Sequence, residues 1–313
     1  MEKLKHKLTH VLKYGQITRS FCAFQERPRM MPVMTVRHGR STNNVLLDNL
    51  CQKMDNKEIT FEEFEKLWVQ NRSDDPDLTS VGKEEAESLS KWLKSSNITD
   101  TKHLFIFCSP FKRTLDTTYG LTSHLSKKDY TVMVHPDIYE TGGCWTRGSN
   151  DERSGPGSCF TAKQISDRFH YDVSMLNQNG GWYQGGWEND LHAMKRARRV
   201  VKWIKSGEMK NLVHNNYEER KRREGGQEKE FMCIMVMHAH FINQVTKELL
   251  VINDDKSLFS SKYNSFHEQH VNFRTENTAT SLFNIADDGK VIVQWISSAE
   301  HLGHSAEYLL SKM

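Results

Sequence analysis

The chain has 313 residues, 37% of them hydrophobic, enough to bury one large core and long enough for insertions within a single domain. A formal net charge of +3 argues against nucleic acid or an anionic membrane surface as the main partner, so function is expected to come from a site. Six cysteines, at 22, 51, 108, 144, 159 and 233, form no Cys-x-x-Cys pair and no dense framework of the small secreted type, which points to a reducing compartment.

Residues 1–31 carry seven Lys/Arg against two Glu and place Leu4, Leu8, Val11 and Leu12 on one helical face. This basic amphipathic arm reads either as a mitochondrial targeting segment or as a retained arm that docks on a protein partner. The location is therefore left open between cytoplasm and mitochondrion. The remainder, 32–313, alternates short apolar runs with amphipathic helices, as an α/β fold does. Strands are predicted at 32–36, 104–108, 131–135, 231–237, 279–285 and 290–295. Helices are predicted where Ala86, Leu89 and Leu93, then Met194, Ala197, Val201 and Ile204, then Phe241, Val245 and Leu249 recur at helical spacing. Ala286-Asp287-Asp288-Gly289 predicts a turn joining the last two strands as an edge hairpin. Two stretches, about 44–80 and 141–190, exceed a minimal crossover and are expected as insertions over the carboxyl edge of the sheet. Tyr217 to Glu230 is almost devoid of apolar residues and reads as a solvated loop. The longest apolar run, Phe231 to Met237, falls far short of the roughly 20 residues a membrane span needs, so a soluble protein is expected.

Chemistry gathers where the predicted strands end. The first run passes into Arg37-His38-Gly39-Arg40-Ser41, at the edge where open α/β sheets bind ligands. Arginine beside an imidazole disfavours the imidazolium by like charge, and a neutral imidazole is a competent nucleophile near neutral pH. Glycine at 39 permits a close backbone approach, while Ser41 and Asn44 offer neutral donors to an oxyanion. The second run leads into Ser109-Pro110-Phe111-Lys112-Arg113, the third toward Glu140, and the fourth into His238 at a helix start, whose amides favour an anion. No carboxylate or cysteine at ligand spacing accompanies His238-x-His240, so no metal is assigned there. Gly155-Pro156-Gly157-Ser158 lacks the lysine of a P-loop and reads as a turn.

These motifs, in this order, resemble the histidine phosphatase superfamily, also called phosphoglycerate-mutase-like, over about residues 33–302. The family's Arg-His-Gly falls on 37–39 and its later asparagine on Asn44. Its Asp-x-x-Leu-Thr-x-x-Gly segment appears as Asp75 to Gly82, its Ser-Pro-x-x-Arg as Ser109 to Arg113, its acid-loop glutamate as Glu140 and its second histidine as His238. Asn277-Thr278-Ala279 and Glu300-His301-Leu302 match weaker tail features.

The resemblance implies a three-layer α/β/α domain with a mostly parallel sheet. It implies phosphomonoester hydrolysis through a phosphohistidine on His38, with Arg37, Arg113, His238 and Asn44 holding the phosphoryl oxygens and Glu140 as general acid. No metal or cofactor is called for, and the substrate would be a phosphorylated small molecule or a phosphoprotein. Three positions depart from the family pattern: Arg40, Asp116 and Ala239. Arg40 either favours a strongly anionic substrate or pairs with a nearby carboxylate. Two rival readings remain: a mutase-type phosphoryl transfer, which Glu140-Thr141-Gly142-Gly143 disfavours by departing from the mutase loop, and a non-enzymatic subunit of a larger assembly.

Overall fold

The computed structural model describes residues 30–149, 152–224, 228–251 and 271–303. The arm assigned to 1–31 lies outside them except for Met30 and Met31, which open the first strand. In chain order the elements are β1 (Met30–Arg37), α1 (Thr42–Asp55), α2 (Phe61–Asn71), α3 (Ser80–Ser95), the single turn α4 (Ile98–Thr101), β2 (Lys102–Cys108), α5 (Lys112–Thr122) and β3 (Tyr130–Val134). They continue with β4 (Trp145–Arg147), β5 (Arg153–Pro156), α6 (Ala162–Phe169), α7 (Asp190–Lys205), α8 (Glu208–Glu224), β6 (Glu230–Met237), α9 (Ala239–Leu249), β7 (Thr280–Ala286) and β8 (Val291–Ser298).

Six strands form one sheet in the order β3-β2-β6-β1-β7-β8. The first four run parallel, and β7 and β8 close one edge as an antiparallel pair, the hairpin expected at 286–289. Each central strand is buried on both faces, so its alternate residues enter two different cores. Val33, Phe105, Phe107, Cys233, Met235 and Phe283 face α7, α8 and α9, where Ala197, Val200, Phe241 and Val245 cover them. Met34, Val36, Leu104, Ile106, Ile234 and Val236 face the other way, onto Leu89 and Leu93 of α3 and Leu115 and Leu121 of α5. The result is the three-layer α/β/α arrangement with a mostly parallel sheet.

The segment between α7 and β6 differs from expectation: of the loop expected over Tyr217 to Glu230, the part as far as Glu224 is helical, the end of α8. Two tertiary anchors hold a turn sequence that composition alone leaves unbound. The Tyr217 ring is buried against His103 and Phe231, at 5.4 and 5.0 Å between centroids, and Arg220 donates to the Tyr130 and Lys127 carbonyls at 2.8 and 2.9 Å.

Both long segments leave from carboxyl ends of parallel strands. The 44–80 stretch contributes α1 and α2 after β1; the 141–190 stretch contributes β4, β5 and α6 after β3. They meet where Arg72, at the end of α2, donates to the Trp145 carbonyl at 2.9 Å and stacks 3.8 Å over its ring.

Candidate active site

Register puts the motif residues side by side. Arg37 pairs with Met237 across β1 and β6, and Cys108 with Val236 across β2 and β6, so the next residues, His38, His238 and Ser109, leave the sheet together at its carboxyl edge. The two imidazoles lie 5.2 Å apart between centroids, tilted by 59°. Arg37 and Arg113 both act on His38 electrostatically, and Glu140 acts on both arginines. Five of the six residues that the sequence singles out thus gather at this edge, within electrostatic reach of one another.

The hydrogen bonds of His38 fix its tautomer. Its Nδ1 lies 2.7 Å from the Gly39 carbonyl oxygen, which can only accept, so Nδ1 carries the proton and the lone pair sits on Nε2. Burial, then Arg113, then Arg37, hold its pKa well below the usual histidine value, keeping the ring neutral. His238 is neutral for the same reasons, burial first and then Arg113. Its Nε2 meets Ser109 Oγ at 2.9 Å, while its buried Nδ1 has no partner among the described residues. Arg37 sends Nη1 to the Thr275 carbonyl at 2.7 Å, and its buried Nε is likewise unpartnered. Arg113 lies 4.1 Å above the Phe111 ring, which packs edge-on against His238 at 5.1 Å. Burial lowers the pKa of both arginines, while nearby carboxylates, Glu140 among them, oppose the shift. Buried groups of this kind require a polar partner.

The backbone of Arg37 and His38 is clasped by the segment before β7. Asn277 Nδ2 donates to the His38 carbonyl at 2.9 Å, and Thr278 N reaches the Arg37 carbonyl at 3.1 Å. Thr278 accepts a left-handed backbone, φ 53°, to do so, and its Oγ1 meets His301 Nε2 at 2.9 Å. Gly39 N donates to Thr117 Oγ1 at 2.9 Å. The glycine at 39 serves close packing against the chain itself: a Cβ there would lie 2.3 Å from the Gly82 carbonyl oxygen.

Glu140 is anchored through one oxygen. Oε1 accepts from Thr141 N at 2.9 Å and from Phe241 N, in the first turn of α9, at 3.1 Å, while Oε2 makes no hydrogen bond to the described residues. Asn44 stands one step out, because its Oδ1 is committed to the capping box of α1, accepting from Ser41 N at 3.0 Å. Arg40 points away and pairs with Asp48 at 2.6 Å, which answers the question of its charge. His240 is exposed in the first turn of α9. Of the tryptophans, Trp182 packs behind Phe111 at 5.0 Å, whereas Trp187 is exposed under Arg153.

Two supports had no role in the sequence reading: Asp75, named there only as part of a motif, and Arg196, not named at all. Asp75 accepts from Lys112 N at 2.9 Å and lies beside Arg113; burial pushes its carboxyl up to about 7 against that cation. Arg196 of α7 is 1% exposed and forms a bidentate pair with the buried Glu188. It also donates Nη1 to the Asp137 and Tyr139 carbonyls at 2.9 and 2.8 Å, fixing the chain just before Glu140. The signal was present in the sequence: Arg196 falls on the stripe of Ala193, Ala197 and Val200, where a solvated arginine does not belong.

The model of the histidine phosphatase superfamily (branch 1) matches residues 33–298. Similar solved structures include a mycobacterial protein described as hydrolase 1, 15% identical, with 86% of this chain and 99% of that one covered at a TM-score of 0.44. A phosphoserine phosphatase from Entamoeba histolytica, solved with 3-phosphoglyceric acid, is 16% identical over 87% and 100%, at 0.44. An ecdysone phosphate phosphatase from Bombix mori, solved with tungstate, is 14% identical over 81% and 88%, at 0.43. No curated protein matches the chain.

Proposed function

Since the chain belongs to the histidine phosphatase superfamily, we propose that it hydrolyses phosphomonoesters through a phosphohistidine formed on His38. The observation that carries the reading is the pairing of a neutral, tautomer-fixed His38 with the buried Arg37 Nε and His238 Nδ1, which have no partner among the described residues. His38 Nε2 attacks phosphorus as the bond to the leaving oxygen breaks. Arg37, Arg113 and His238 hold the equatorial oxygens, where the transferring phosphoryl group spreads its charge. Asn44 adds an amide donor from the first turn of α1. Glu140, whose Oε2 is uncommitted, gives its proton to the leaving alkoxide and then takes one from the water that attacks phosphohistidine.

Brief exposure to a labelled aryl phosphate should leave an acid-labile, base-stable label on the protein that His38→Ala cannot acquire. Label retained by the alanine variant would move the nucleophile elsewhere. The compartment and the role of the N-terminal arm stay as proposed from the sequence.

A further inference from the structure

Two cysteines that the proposed chemistry does not use flank the β4–β5 hairpin immediately after Glu140. Cys144 precedes β4, and its carbonyl accepts from Gly157 N at the opposite end of the hairpin. Its Sγ lies 3.8 Å from the Ser158 carbonyl, the residue next to Cys159, and 3.7 Å from the Asp74 carbonyl. The Cys144 thiol thus reaches the backbone of the residue before Cys159, the Cys159 thiol donates to the Tyr183 carbonyl at 3.8 Å, and both cysteines are reduced. We propose that Cys144 and Cys159 form a reversible disulfide on exposure to a peroxide, and that this bond sets the conformation of the acid loop 140–144.

The two thiols are unequal in the way such a pair requires. The Cys144 S–H donates to the Asp74 and Ser158 carbonyls; the influence of the two thiols on each other draws the Cys159 pKa down and, with burial, pushes Cys144 up. Cys159 is half-buried, whereas Cys108 and Cys233 are fully enclosed, with thiols pushed up to about 12 by burial. Cys51 is also raised, by burial and two neighbouring aspartates. Among the described cysteines Cys159 is the one favoured as thiolate, and the thiolate is the species that reacts. Its sulfur attacks a peroxide oxygen: an S–O bond forms, the O–O bond breaks, and the departing hydroxide takes up a proton as water. Cys144 sulfur then attacks the sulfenic sulfur of Cys159. The S–S bond forms, the S–O bond breaks, and the Cys144 proton leaves with hydroxide as a second water. Two thiols are oxidised by two electrons and one peroxide is reduced to two waters.

The link to the acid loop is by contact. Cys159 Sγ lies 3.8 Å from the Tyr183 carbonyl and packs on Gly181, where an added Cβ would meet it at 2.8 Å. The Tyr183 ring closes on Gly143, whose absent Cβ would lie 2.1 Å from the tyrosine hydroxyl. Gly143 N donates to the Glu140 carbonyl at 3.0 Å. Gly143 is therefore held between Cys144, its chain neighbour, and Tyr183, which Cys159 touches. Joining the two sulfurs removes the S–H donors and fixes both sides of that glycine.

The consequence for turnover rests on the phosphatase reading; the bond does not. Reduced full-length protein is treated with a few equivalents of hydrogen peroxide, alkylated, digested and mapped by mass spectrometry, in parallel with Cys159→Ser. The wild type should lose about 2 Da and yield a peptide linking Cys144 to Cys159, reversed by dithiothreitol. Amide exchange over 140–144 should slow at least about threefold in the oxidised form, and aryl phosphatase activity should fall reversibly in the wild type and not in Cys159→Ser. Recovery of both cysteines alkylated, or pairing of either with another cysteine, overturns the proposal, as does a linked pair with unchanged exchange in the loop. A reduced protein without phosphatase activity refutes the functional reading instead, and the peptide map and exchange still decide this one.

Discussion

Replacing Arg196 by methionine tests how the acid loop is held. The guanidinium is 1% exposed and Glu188 8%. Its Nε donates to Glu188 Oε1 at 2.9 Å, Nη2 to Oε2, and Nη1 to two loop carbonyls, while its plane lies 3.5 Å from the Tyr139 ring centre and 4.0 Å from that of Phe241. Methionine fills the stacking space but leaves a buried carboxylate whose remaining hydrogen bond is from Tyr139 Oη at 3.2 Å. Breaking a buried pair on one side costs about 3–5 kcal/mol. At about 2 °C per kcal/mol for a chain of this size, the midpoint of thermal unfolding should fall by about 6–10 °C. Urea unfolding of wild type, Arg196→Met, Glu188→Gln and the double variant measures the coupling. The double variant should recover most of the loss, because replacing both charges removes the uncompensated ion. Its kcat should stay down by up to about 10²-fold, since the Asp137 and Tyr139 carbonyls remain unclamped and Glu140 is no longer placed. A single variant costing under about 1 kcal/mol, or a double variant as unstable as the sum of the singles, would refute the account.

Three other outcomes are expected. Gly82→Ala puts a Cβ 2.2 Å from the Arg40 carbonyl oxygen, so it should cost about 1–3 kcal/mol and displace the Arg-His-Gly turn, whereas Gly155→Ala, with nothing within 4 Å, should be neutral within about 0.5 kcal/mol; equal stability and activity in the two would contradict the packing argument. Glu140→Gln should lower turnover about 10²–10⁴-fold on an alkyl phosphate and much less on a nitrophenyl phosphate, whose leaving group needs little protonation; equal losses would count against Glu140 as the acid. Because burial and two arginines depress the His38 pKa, the neutral nucleophile persists on acidification, and the acid limb of kcat/KM should lie well below pH 6.5; a limb at or above that value would mean that His38 is protonated in the free enzyme.

The central strands were legible because each is buried on both sides: runs such as Phe231 to Met237 admit no polar position, and all six expected strands form, the half-exposed edge strand β8 included, with bounds moved by at most three residues. Helix positions were legible from apolar spacing, but their facing was less so. Of the stripe expected at Met194, Ala197, Val201 and Ile204 the last three are buried, but the buried face also takes in Ala193 and Arg196, because a paired arginine occupies a core position that hydropathy assigns to solvent. The run after Tyr217 failed for the opposite reason: few residues are apolar, yet one buried tyrosine and one arginine to two carbonyls suffice to dock it.

What the sequence determined by itself was the inventory and the order: apolar runs that must be strands, four of them leading in turn to Arg37-His38, Arg113, Glu140 and His238. Parallel pairing sends successive strand ends to one edge, so the meeting of His38, Ser109 and His238 follows once β1, β2 and β6 are neighbours. Only the tertiary structure decided what lies between distant segments. The pairing of Arg40 with Asp48, the clasp of Asn277 and Thr278 on the backbone of Arg37 and His38, the commitment of the Asn44 carbonyl to a helix cap and the grip of Arg196 on the chain before Glu140 all depend on which polar group burial brings within hydrogen-bonding reach. Hydrophobic periodicity reports which faces leave water and carries no record of partners. A buried polar atom must find one, and its choice is fixed by distances of a few ångströms that exist only after the layers have packed.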